Sequence, residues 1–108
     1  MQWYWAEIKS GTDRQVVFYT EIELARRNLL RRVHELRSDF KIHGRPVGLG
    51  PSDIERLGKA GVEVLMPRFR ALDGTWHWFS GIARMDAFRL SAEFEAALWQ
   101  RGSIAVQL

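Results

Sequence analysis

The sequence predicts one α+β domain spanning residues 1–108: a mainly antiparallel sheet with helices packed on one face. Three observations carry that expectation. Aromatic and β-branched residues alternate at the start of the chain, helical periodicity follows, and an Asp-Gly step separates two further β-rich runs. The element order read from them is ββα(β)αββαβ.

From Gln2 to Lys9, Trp3, Trp5 and Glu7 fall on one side and Tyr4, Ala6 and Ile8 on the other, the period of a strand. Ser10-Gly11-Thr12-Asp13 is a turn cluster, and Gln15 to Tyr19 is a second β-rich run, so the two form a hairpin. Thr20-x-x-Glu23 has the form of a capping box and opens a helix expected to run to about Ser38. Its apolar stripe is Ile22, Ala25, Leu29, Val33 and Leu36, with Arg26 inside the arc as a snorkelling or paired arginine. Glu23–Arg27 and Arg31–Glu35 are opposite-charge pairs one turn apart.

Phe40 to Ile42 reads as a short strand. The Gly/Pro-rich stretch from His43 to Pro51 reads as a loop, and Ser52-x-x-Glu55 as a second capping box for a helix stopped by Gly61. Val62 to Leu72 and Thr75 to Met85 flank Asp73-Gly74 and read as a hairpin, with Pro67 marking a bulge or an edge. Ser91 caps a last helix whose stripe is Phe94, Ala97 and Leu98 and which Gly102 ends. Ile104, Val106 and Leu108 alternate as a final strand. At a sheet edge, that strand would pair with a second copy to make a homodimer.

Composition narrows the function classes. The chain has 108 residues, no cysteine, five tryptophans and a net charge of +3 carried mostly by arginine. The absence of cysteine excludes disulfides, thiolate zinc sites and a cysteine nucleophile. No apolar run reaches the roughly 20 residues a membrane span needs, and the N-terminus lacks the pattern of a signal peptide, so the expectation is a soluble, cytoplasmic chain. The three histidines, His34, His43 and His77, lie in different elements without metal-ligand spacing; no nucleotide-binding or nucleophile motif is present. No cofactor and no metal are therefore expected.

Three constellations remain as candidates. A two-residue turn at Asp73-Gly74 would set Leu72 opposite Thr75, Arg70 opposite His77 and Arg68 opposite Phe79 on one side. Phe69–Trp78, Ala71–Trp76 and Leu65–Ile82 would then fall on the core side. Arg68, Arg70, His77 and Phe79 would make a basic-aromatic face suited to single-stranded nucleic acid, against the plainer reading of a solvated hairpin face. Arg27 and Arg31 on the first helix would contact phosphate, against the plainer reading of a surface neutralised by Glu23 and Glu35. Trp3, if exposed, would anchor a partner; otherwise it belongs to the core.

The leading expectation is a non-catalytic binding protein that acts through a sheet face and the adjoining loop from His43 to Pro51, an inhibitor or adaptor whose partner is a protein or a protein–nucleic-acid assembly. Direct binding of single-stranded RNA or DNA through the basic-aromatic face is the alternative. A small metal-independent ribonuclease built from His77, Arg68, Arg70 and a carboxylate is a second one.

Overall fold

The N-terminal alternation becomes a hairpin in the computed structural model, which describes residues 2–35, 49–65 and 82–108. Strand β1, Trp3–Ser10, pairs antiparallel with β2, Asp13–Thr20, from Trp3↔Thr20 to Ser10↔Asp13. The two-residue turn uses Gly11 at a φ of 61°, where a Cβ would be strained. Strand β6, Ser103–Gln107, joins the other side of β2, and the two-residue strand β4, Ala83–Arg84, joins the other side of β1. The sheet order is β4-β1-β2-β6. A separate two-stranded sheet pairs β3, Val62–Val64, with β5, Phe88–Leu90. A single 3-10 turn, Met85–Ala87, links β4 to β5.

The α+β class and antiparallel pairing hold, but helices pack on both faces of the main sheet rather than on one. Both sides of β1 and β2 are apolar, so each needs a cover. Trp3, Trp5, Val16, Phe18 and Val106 meet Leu57 of helix α3, Pro51–Ala60, and Phe94 and Leu98 of helix α4, Ala92–Arg101. Val62, Val64 and Phe88 of the small sheet complete that core. On the other face Tyr4, Ala6, Val17 and Tyr19 meet Ile82, Leu24 of helix α1, Glu21–Arg26, and Val33 of helix α2, Leu30–Glu35.

The long first helix expected from Thr20 to Ser38 is corrected to two short ones within the described residues. Asn28 adopts a φ of 58°. Its N–H donates to Ala25 O at 3.0 Å, and the Leu29 N–H donates to Leu24 O at 2.8 Å. This is a Schellman stop with asparagine at the left-handed position, and the Leu24 and Leu29 side chains join the same core. The stripe also shifts: Leu24 is fully buried, whereas Ile22 is 71% exposed and Ala25 is on the surface. The Thr20 hydroxyl accepts from the Glu23 N–H at 3.1 Å as the capping box requires. The reciprocal bond is absent, because the Thr20 N–H donates to Gly102 O at 2.9 Å.

The second capping box moves as well. Helix α3 begins at Pro51 with Gly50 as its cap, and the Asp53 carboxylate accepts from the Gly50 N–H at 3.0 Å. Arg14 of β2 donates to the same carboxylate at 3.0 Å, which ties the helix start to the sheet. Gly61 ends α3 at a φ of 101°. Ser91 caps α4 by accepting from the Phe94 N–H at 3.1 Å, and Gly102 ends it.

The expected Asp-Gly hairpin diverges where it is described. Its first arm enters the small sheet through β3, and its second enters the main sheet through β4. Leu65 and Ile82 therefore do not share a core side: Leu65 is 40% exposed, and Ile82 is buried beneath α1 and α2. The turn itself, Trp76, Trp78, and the expected strand from Phe40 to Ile42 lie outside the described residues. Among the described residues, no helix is long and apolar enough to cross a membrane.

Candidate functional site

Arg68, Arg70, His77 and Phe79 all lie outside the described residues. The site is therefore built from the remaining constellations.

The arginines of α1 follow from its capping chemistry. Glu23 sits in the first turn, buried beside the point where Gly102 closes α4; a Cβ on Gly102 would come within 3.3 Å of Glu23 Oε2. An ionised carboxylate there needs donors. Arg26 supplies a fork, Nε and Nη2 each at 2.8 Å, and Arg27 adds Nε at 2.5 Å. Arg27 also stands over the Tyr19 ring, 5.9 Å from its centroid. Burial, more than the nearby charges, pushes the Tyr19 phenol above its usual pKa, so that ring is neutral. Arg26 is thus the paired arginine the sequence allowed for.

Arg31 lies on α2, beyond the Asn28 break, so it does not continue the face of Arg27 one helical turn on. A shallow hollow beside the break is lined by Ala25, Asn28, Leu30 and Arg31. The single continuous helical face expected to carry Arg27 and Arg31 one turn apart is thus interrupted between them. The cause is the left-handed asparagine, a signal present in the sequence but overridden by the periodicity around it.

The Arg26 bonds hold the Glu23 carboxyl below its ordinary pKa of 4.5; burial opposes that shift and the Arg27 bond adds to it. A depressed folded-state value means that the carboxylate stabilises the fold above the unfolded-state value. That contribution is lost as pH falls through the folded-state value. Glu23→Gln should therefore melt below the wild type at neutral pH, and the gap should narrow on acidification below pH 4.5. Thermal melts across that range check this, and a gap of constant size would refute the assignment.

Trp3 is 7% exposed, its ring 5.8 Å from that of Phe18. It belongs to the core and offers little surface to a partner. A second feature, an open groove of about 420 Å³, runs between α3 and the small sheet. Ile54, Val62, Val64 and Leu90 line it, with Glu63 and Arg89 paired across its rim at 3.8 Å.

The third feature was legible only as a conditional. Among the described residues, strand β6 is one of the two outer strands of the main sheet. Its pairing phase follows from two bonds: the Leu108 N–H donates to Arg14 O at 2.9 Å, and Gly102 O accepts from the Thr20 N–H. In an antiparallel ladder, hydrogen-bonded pairs alternate with non-hydrogen-bonded ones. Ile104 and Val106 therefore direct their backbone groups to Phe18 and Val16 of β2. Ser103, Ala105 and Gln107 direct theirs outward. Ala105 and Gln107 are exposed and Ser103 is half-buried. No other described strand pairs with this edge.

Among the described residues, no group of three or more His, Asp or Glu side chains is placed to hold a metal ion. Comparison with known proteins finds no matching family model, no similar curated protein and no similar solved structure.

Proposed function

We propose that the chain is a non-catalytic binding protein that makes its protein contact by adding a strand at β6. The observation that supports this is the row of outward N–H and C=O groups at Ser103, Ala105 and Gln107, on an edge with no charged residue or proline to discourage pairing. The buried carboxylates elsewhere point the same way. Glu23 is consumed by Arg26 and Arg27, and Asp53 by Gly50 and Arg14, so both serve the fold. An inhibitor or adaptor role in the cytoplasm is the biological form this reading takes. The single-stranded nucleic-acid and ribonuclease alternatives rest on Arg68, Arg70, His77 and Phe79, and nothing among the described residues favours them.

Ala105→Pro tests the proposal. The substitution deletes an outward N–H without removing a bond to β2, and edge strands tolerate proline. Tagged wild-type chain should retain a specific protein partner after nuclease treatment, and the variant should lose it. Retention that depends on nucleic acid, or that survives the substitution, would defeat the reading.

A further inference from the structure

We propose that the strand completing this edge is β6 of a second copy, antiparallel and centred on Ala105, so that two four-stranded sheets join into one of eight strands. The inference rests on the reading of β6 as the contact edge and names its occupant.

The backbone phase favours self-pairing. A two-fold axis at Ala105 sets Ala105 opposite Ala105 of the other copy, and Ser103 opposite its Gln107. All three outward-facing residues then fall at hydrogen-bonded positions, each pair exchanging both N–H···O bonds. Shifting the register by one pair in either direction leaves some of these groups unmatched. The same register places Ile104 opposite Val106 at the non-hydrogen-bonded positions, where side chains approach most closely. Ile104 is half-buried on the core face, so an apposed valine covers the part that β2 leaves open.

The chemistry of the strand fits a copy of itself. Ser103-Ile104-Ala105-Val106-Gln107 is uncharged, so a symmetric pairing brings no like charges together. It also carries none of the usual protections of a lone edge, such as lysine, proline or a bulge. The opposite edge of the sheet differs: β4 is two residues long and ends on the exposed Arg84. A symmetric contact of this kind is isologous and closes at two copies, so a dimer rather than a fibre is expected.

Analytical ultracentrifugation of the full chain tests this between about 1 and about 300 μM, a range that reaches weak as well as tight self-association. The wild type should shift from monomer to dimer across that range. Ala105→Lys sets two ammonium groups face to face across the axis and should raise the dissociation constant about two- to fivefold. Ala105→Glu should do the same. An equimolar mixture of the two should recover dimer, because each lysine then meets a glutamate. That recovery is specific to a two-fold axis at residue 105, and misfolding of either variant would not produce it. Circular dichroism of each variant alone reports whether it folds.

A wild type that is monomeric throughout the range overturns the inference. So does a dimer that ignores both charge variants, or variants that fail to recover on mixing. A monomer whose capture of a different protein is still lost on Ala105→Pro overturns the self-pairing and leaves the binding reading standing. A dimer disrupted by neither substitution, with partner capture equally indifferent, removes both.

Discussion

Replacing Phe18 with alanine is expected to destabilise the protein by about 3–5 kcal/mol. The ring is fully buried in β2 and is the point where four elements meet. Its centroid lies 5.8 Å from Trp3 of β1, 5.4 Å from Phe88 of β5 and 5.1 Å from Phe94 of α4, the last two edge-on. Edge-to-face rings at these spacings contribute about 0.5–1.5 kcal/mol beyond the burial of their area. Alanine removes those contacts and leaves a cavity whose walls come from separate sheets and a helix, so no single movement closes it. Against a total stability of about 5–15 kcal/mol, the loss is large. Ile22→Ala is the matched control: the sequence places Ile22 on the core stripe, whereas it is 71% exposed in the fold, and its loss should stay within about 0.5 kcal/mol. Urea unfolding of the two variants checks both numbers. A Phe18→Ala loss under about 1 kcal/mol, or an Ile22→Ala loss above it, would contradict this packing.

That pair also shows where sequence reading succeeds and where it stops. Local chemistry was legible. The turn at Gly11, the Thr20 and Ser91 caps and the glycine stops at Gly61 and Gly102 each depend on residues within a few positions of one another. The periodicity predicts one long first helix, whereas Asn28 supplies a left-handed stop from inside an otherwise continuous run of helix formers. In the short helix Leu24 is buried and packs in the same core as Leu29, while Ile22 is exposed. The start of α3 lies two residues before the Ser52-x-x-Glu55 pattern, because the Asp53 carboxylate accepts from the Gly50 N–H.

Non-local pairing was beyond reach. Nothing near Val62 says that it pairs with Leu90, and nothing near Ala83 says that it joins β1. The candidate site divides along the same line. The alternation of Ile104 and Val106 was visible as a strand, but only the sheet order makes that strand an edge. Only its bonds to β2 show which residues face outward.

Gly61→Ala carries the second large effect, expected at about 1.5–4 kcal/mol, because one methyl group would disturb two helix ends at once. Gly61 ends α3 at a φ of 101°, a conformation that costs an L side chain about 1–2 kcal/mol. A Cβ built there lies 2.6 Å from Ser91 Oγ and 3.4 Å from Phe94 Cβ. The serine hydroxyl cannot simply swing away, since it caps α4 by accepting from the Phe94 N–H. The Ser91 N–H in turn donates to Gly61 O at 2.8 Å, so the two ends also share a backbone bond. The added methyl therefore forces a choice between keeping the α3 stop and keeping the α4 cap. Losing a serine cap alone costs about 0.5–2 kcal/mol. A double-mutant cycle separates the parts: if the clash with the cap is real, Ser91→Ala should destabilise the wild type but cost little more once alanine occupies position 61. Fully additive losses would mean that backbone strain at Gly61 accounts for the whole effect and that the two caps act independently.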